Sequence, residues 1–297
     1  MADSIAIGTV QFLNAWPLAF GLEDEPGVRL RREVPSALEP LLRSGEVDAA
    51  LIPAIEYFRL ASESRERARS AGGAAGPAGF VALPVAAIAS RGPIGSIRLF
   101  GYTDMQKVRR VVLDPASRTS NALVRVLFER RWKRRVHFVL PDAPGSPAHL
   151  ISCSPALRRR SRRPPDAELV IGDAGLVAER PAAAWQCDLG LEWDHFVHKP
   201  FVYAFWVARN DADLGRIARL LAAARDRGLE AREALAAKAQ QELGIPLEVA
   251  RRHLLEQVCY TFGPRERKGL HTFYEMAAAE GIAPEGGRLR FPPGEAH

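Results

Sequence analysis

The sequence predicts an α/β protein of two lobes with a cleft between them. Three observations carry that prediction. Short apolar runs alternate with amphipathic helical segments, and the alternation runs twice before a helical tail. Several strand-like runs are almost continuously apolar, as strands covered on both faces are. Two of them end in polar turns that open into helices, where open α/β sheets bind their ligands.

Residues 5–10 read as the first strand. Pro17 suits a first turn, which predicts a helix over 18–22. Residues 28–34 alternate and read as a second strand. Ser36-Ala37-Leu38-Glu39 fits a capping box and Gly45 a helix stop, so a helix is expected between them. A buried strand over 47–52 follows, and Pro53 leads into a short helix with Tyr57 and Phe58. Residues 62–79, rich in Arg, Ser, Gly and Ala, read as a loop or flexible insert. An apolar stretch covers 80–90, a turn falls at Arg91-Gly92-Pro93, and a strand is expected over 96–100. Strands at 108–113 and 136–140 flank an amphipathic helix at 119–131, where Leu123, Val126 and Leu127 recur at helical intervals. Residues 142–165 read as an irregular loop. Strands at 169–173 and 201–207 come next, and the chain from Leu214 is mostly helical, with helices at 234–243 and 247–259.

This order predicts a parallel sheet covered by helices in each lobe. The first lobe takes residues 1–92 with 201–297, the second 93–200. The chain then crosses twice, near 91–96 and 197–203, and a cleft between two such lobes is a common ligand site. Alternation alone also fits two consecutive domains.

The 297 residues suffice for two domains, and at 47% hydrophobic a large core is within reach. No apolar run is long enough to span a membrane, so none is expected as a partner. The first residues lack the basic start and apolar stretch of a secretory signal, which predicts a cytoplasmic protein. Cys153, Cys187 and Cys259 form no CxxC pair, the seven histidines show no ligand spacing, and GxGxxG and P-loop motifs are absent. No metal and no cofactor are therefore expected. The net charge of +6, with basic clusters at 130–135 and 158–163, raises the question of nucleic acid. The first cluster ends a helix, where cations suit the dipole, and no aromatic platform accompanies either. No nucleic-acid partner is expected.

Four segments carry candidate chemistry. Asn14, in Gln11-Phe12-Leu13-Asn14-Ala15-Trp16-Pro17, follows the first strand and can offer a side-chain amide to a ligand or cap a helix. Ser117-Arg118-Thr119-Ser120 follows Leu113-Asp114; its hydroxyls and backbone N–H groups suit a carboxylate, and Arg118 can pair with one. The alternative is a capping turn with a solvated arginine. Ser96 lies in the first crossover, beside glycines that allow close approach. Asp173 follows a strand in the second lobe and can bind ligand, cap a helix or turn the chain. His195 and His198 are proton-transfer candidates by type alone and read as structural or surface residues.

Together these segments resemble one family. Gly8-Thr9-Val10-Gln11-Phe12-Leu13-Asn14-Ala15-Trp16-Pro17, Gly45-Glu46-Val47-Asp48-Ala49-Ala50-Leu51-Ile52-Pro53, Leu113-Asp114 with Ser117 to Ser120, and Ile171-Gly172-Asp173-Ala174 are similar to segments of the chorismate dehydratases of the futalosine route to menaquinone. Asp188-Leu189-Gly190 with Trp193, and Pro200-Phe201-Val202-Tyr203-Ala204-Phe205-Trp206, follow in the family's order, and the likeness runs to about residue 275. It implies a type II periplasmic-binding-protein fold, and conversion of chorismate to 3-[(1-carboxyvinyl)oxy]benzoate by loss of water. For that reaction Asn14 and Ser96 are expected as the catalytic residues that orient the substrate, and Ser117, Arg118, Thr119, Ser120 and Asp173 as substrate-binding residues. The related dihydroxynaphthoate synthases carry a Cys-Pro-Asn-Asp-type turn where Phe12-Leu13-Asn14-Ala15 stands here, which favours the dehydratase. A sister enzyme of that kind and a non-catalytic anion-binding protein of the same fold remain the alternatives. Residues 62–79 and 142–165 look longer than usual for the family, and Val197-His198-Lys199-Pro200-Phe201 replaces its Gly-Leu-Pro-Phe-like stretch.

Overall fold

The computed structural model describes residues 4–70, 79–141 and 165–294. Strand β1 (Ile5–Val10) is buried throughout and pairs in parallel with β2 (Val28–Glu33) and β3 (Ala49–Pro53). Burial on both faces explains why β1 and β3 are apolar without alternation. At the sheet edge, β2 carries Arg29, Arg31 and Arg32, charges that discourage pairing with another chain.

Between β1 and β2 runs a 3-10 helix, Leu13–Ala19, with Pro17 inside it. The helix expected at 18–22 therefore starts five residues earlier. Burial of Leu13, Ala15 and Leu18 draws the turn inward and overrides the proline signal. The capping box at Ser36 does not form. Helix α1 (Pro35–Ser44) begins with Pro35 at its first turn, no side chain caps it, and Glu39 bonds Arg43 at 2.7 Å. Gly45 ends α1 at φ +80, as expected. Helix α2 (Ala54–Ser70) runs well into the segment read as a loop. Within that stretch Glu63 pairs with Arg43 and Glu66 is exposed. Residues 71–78 of that expected insert lie outside the described residues.

Strand β4 (Phe80–Ser90) leads through 91–96 into a second sheet. That sheet holds β5 (Ile97–Gly101), β6 (Arg110–Val112), β7 (His137–Val139), β8 (Ala167–Ile171) and β9 (Trp185–Asp188), in the order β7-β6-β8-β5-β9. Helix α3 (Arg118–Val126) continues as a π turn over Leu127–Arg131. Helices α4 (Gly172–Val177) and α5 (Leu189–Val197) follow β8 and β9. The expected loop at 142–165, Cys153 and the basic run 158–163 fall almost wholly outside the described residues.

Strand β10 (Phe201–Arg209) then returns to the first sheet, whose order is β2-β1-β3-β10-β4. Neither sheet is purely parallel. β10 is antiparallel to β3 and β4, and β5 to β8 and β9. Parallel neighbours need a crossover connection of a dozen or more residues, whereas β4 and β5 are joined by a short link between sheets. Hydrophobic periodicity is blind to strand direction. The chain closes with α6 (Leu214–Glu230), α7 (Arg232–Leu243), α8 (Leu247–Arg252) with a π turn at His253–Gln257, and α9 (Pro264–Ala279). Trp193 of α5, Phe201 of β10 and Phe273 of α9 pack edge to face, with centroids 4.8–5.9 Å apart, and seal the return crossing.

Within the basic run 130–135, Arg130 pairs with Glu280, Arg131 with Glu192 at 2.7 Å, and Arg134 donates to Gln106, while Lys133 and Arg135 are exposed. Among the described residues no cluster of His, Cys, Asp and Glu could hold a metal ion, and no helix is long and apolar enough to cross a membrane.

Candidate active site

A cavity lies where strand ends and helix starts of the two sheets meet. From the first sheet come Val10 and Pro53, the last residues of β1 and β3, and Pro35 at the start of α1. The second contributes Ile171 at the end of β8, Gly172 at the start of α4, and Ser117 and Ser120 at the start of α3. Phe12, Ile88, Ile97, Tyr203 and Ala204 wall it, and Asn14 and Ser96 complete the lining. The starts of α1, α2, α3 and α4 all border this space. Their dipoles favour an anion there.

No Asp, Glu, His, Lys or Arg lines the cavity. Its polar groups are neutral, and two lack a protein partner: Asn14 Oδ1 and Ser96 Oγ are buried without a hydrogen bond among the described residues. Leaving such atoms unpaired costs about 1–3 kcal/mol each, a cost that a bound polar ligand removes. Asn14 does not cap its helix, since Phe12 occupies that position. Ser117 does cap α3: its Oγ accepts from Ser120 N at 3.2 Å and shares a 2.8 Å hydrogen bond with Ser120 Oγ. Two hydroxyls sharing one hydrogen bond leave one proton for an acceptor in the cavity.

The other three candidates are turned elsewhere. Arg118 pairs with the buried Glu56 at 3.1 Å and is half-exposed, outside the cavity. Thr119 Oγ1 accepts from Ile55 N at 3.2 Å, at the start of α2. Asp173 Oδ1 accepts from Leu13 N at 2.9 Å, beside Asn14 in the chain. Each of these bonds joins elements of one sheet to elements of the other. Ser36 N to Ala116 O, at 3.2 Å, adds a fourth link. The cavity they enclose is about 40 Å³, against roughly 300–1,000 Å³ for an ordinary small-molecule site. The closed cavity is too small for an organic molecule of ordinary size, and these links lie across its border.

Two acids that sequence reasoning left without a role hold the cavity's loops. Asp114 Oδ1 accepts from Ala116 N at 2.9 Å, and Asn121 brackets the same turn through bonds to Asp114 N and O. Together they present Ser117 and Ser120. Asp188 accepts from Ile94, Gly95, Gly190 and Leu191 N–H groups at 2.6–3.1 Å, which fastens the crossover that carries Ser96. An Asp at the end of a strand and just before a helix is a cap signal, and that much was available in the sequence. His253, on the π turn, donates its Nδ1–H to Ile94 O at 3.0 Å from the other side. His195 and His198 do not line the cavity. Gly172 has φ +66, and a Cβ there would sit 3.0 Å from the Phe12 ring, so both conformation and space call for glycine.

Burial pushes the Asp114 carboxyl up to about 7 and the Asp173 carboxyl up to about 6, despite their N–H bonds. Each folded-state value exceeds the unfolded one, so their contribution to stability is full below about pH 4 and is lost as pH rises through about 6 and about 7. Burial holds His253 down, to about 4, which acts in the opposite direction over about pH 4 to 6.5. Asp114→Asn keeps an acceptor for Ala116 N and removes the ionisation. Its melting temperature relative to the parent should rise between pH 4.5 and pH 7.5, by an amount reflecting a few kcal/mol. Parallel melting curves for parent and variant across that range would count against a raised Asp114.

The chain is 28% identical over 292 residues to the chorismate dehydratase of Thermus thermophilus, covering 91% of this chain and 93% of that one. A protein of Archaeoglobus fulgidus superposes with a TM-score of 0.68 at 15% identity, covering 95% of this chain and 99% of its own. The alkanesulfonate-binding protein SsuA of Xanthomonas axonopodis pv. citri superposes at 0.64 with 16% identity, covering 96% of each chain. The fold is thus that of the periplasmic binding proteins. Residues 5–279 match the family described as menaquinone biosynthesis, and the chain belongs to that family.

Proposed function

We propose that this protein is a cytoplasmic chorismate dehydratase that works in a cleft between one lobe of residues 1–92 with 201–297 and another of 93–200. The observation that carries the reading is a cavity made of helix starts and neutral donors, with no acid or base in its lining. It suits a substrate that brings its own charges. Chorismate has two carboxylates, and the starts of α1 to α4 with the Ser117–Ser120 pair are suited to them.

The ring carbon bearing the ether loses its proton, and the hydroxyl on the neighbouring carbon leaves, so that one water departs and the ring becomes aromatic. Aromatisation supplies the driving force, which leaves orientation as the main task. Asn14 Oδ1 accepts from the ring hydroxyl, and Ser96 Oγ donates to the enolpyruvyl side. With no base in the lining, the enolpyruvyl carboxylate of the substrate takes the ring proton and passes it to the departing hydroxyl.

Incubation of the chelated, desalted protein with chorismate, followed by mass, tests this. The expected outcome is a product one water lighter. Turnover only after adding a divalent metal would overturn the cofactor-free mechanism. Binding of chorismate without conversion would make the protein a non-catalytic member of its fold.

A further inference from the structure

A second cavity shares no lining residue with the first. It opens between α6, the start of α7 and the segment 258–263, which borders β4 through bonds of Cys259 and Tyr260 to Ala89 and Ala87. Its volume is about 490 Å³, within the ordinary range for a small-molecule site. Val85, Leu229 and Val258 give it an apolar floor, and Arg225, Arg232 and Arg267 stand around that floor. No Asp or Glu lines it.

The guanidinium groups are held by backbone carbonyls. Arg225 donates to Val85 O at 2.6 Å, with its remaining nitrogens on Asp226 at 2.7–2.8 Å. Arg232 donates to Leu229 O at 2.8 Å and Leu254 O at 3.5 Å, and no carboxylate among the described residues pairs with it. Carbonyls orient a guanidinium without cancelling its charge. Tyr260, 5% exposed, lines the same cavity as Arg232, and its hydroxyl has no hydrogen-bond partner among the described residues. A buried unpartnered hydroxyl in one lining with an arginine that no carboxylate pairs is suited to an anionic acceptor.

We propose that this cavity is a second binding site, for an organic anion whose carboxylate or phosphate takes hydrogen bonds from Arg232 and Tyr260 while its apolar body lies on Leu229, Val258 and Val85. The site does not depend on what the first cavity does.

Calorimetric titration of the full chain with isophthalate, phenyl phosphate and inorganic phosphate tests it. Saturable binding is expected for at least one of the two aromatic anions, which decides between carboxylate and phosphate, and binding of inorganic phosphate should be at least tenfold weaker. Arg232→Met should weaken the favoured anion at least tenfold, Tyr260→Phe several-fold, and Asn14→Ala not at all. Arg232→Lys, which keeps the charge but loses the fork, should fall between parent and Arg232→Met. It serves as the folding-competent check if the methionine variant is unstable. Turnover in the first cavity without added anion should be unchanged in Arg232→Lys. Equal binding of inorganic phosphate, absence of saturable binding for both aromatic anions, or loss of binding in Asn14→Ala but not in the Arg232 variants would each overturn the proposal.

Discussion

Asn14→Ala is expected to lower kcat/KM for chorismate roughly ten- to a hundredfold while leaving the melting temperature unchanged or slightly raised. Among the described residues Asn14 Oδ1 has no partner, so its removal deletes a buried unpaired acceptor. Whatever the residue contributes is realised on substrate, where its loss leaves the buried ring hydroxyl without an acceptor at a cost of about 1–3 kcal/mol. Ser96→Ala should behave in the same way for the same reason. Ser120→Ala should lose activity by a similar factor and also cost about 1 kcal/mol of stability, because its hydroxyl is bonded to the Ser117 cap of α3. Turnover and melting temperature measured on all three variants therefore separate substrate contact from capping. An Asn14→Ala protein that melts early and turns over normally would remove Asn14 from the site.

Gly228→Ala is expected to be the most destabilising single methyl addition in α6. A Cβ at Gly228 would lie 2.0 Å from Pro17 O and 2.6–2.7 Å from the neighbouring Pro17 backbone atoms. Backbone cannot rotate away as a side chain can, so α6 or the 3-10 helix has to move, at a cost of about 3 kcal/mol or more. A melting temperature lower by roughly 6–12 °C follows at about 2–4 °C per kcal/mol. Activity should fall as well, since the displaced 3-10 helix carries Asn14. Gly215→Ala, in the same helix, meets nothing closer than 3.5 Å, so it should stabilise by up to about 1 kcal/mol. Opposite signs from one substitution type in one helix are the signature of the close contact. Two small shifts of the same sign would show that the two helices are not held against each other.

The residues that could meet a ligand were largely legible from local pattern. Asn14, Ser96, Ser117 and Ser120 each follow a strand or stand at a crossover, and all four line one cavity. That reasoning also selected Arg118, Thr119 and Asp173, which sit in the same kind of turn and yet bond Glu56, Ile55 and Leu13. Sequence position tells which turn a side chain belongs to. It does not tell toward which of two closing surfaces the side chain points, and adjacent residues at the start of α3 point to different ones.

By itself the sequence determined the buried strands, the stop at Gly45 and the amphipathic stretch that becomes α3, because burial and helical period leave a local trace. It also marked the turns where helix starts gather. Only the tertiary structure decided the antiparallel entry of β5 and β10, the continuation of α2 to Ser70, and the parts played by Asp114 and Asp188. These depend on partners far along the chain, as Asp173 and Leu13 are 160 residues apart. A hydrogen bond across that separation exists only once two sheets have docked, and no periodicity in either segment records the other.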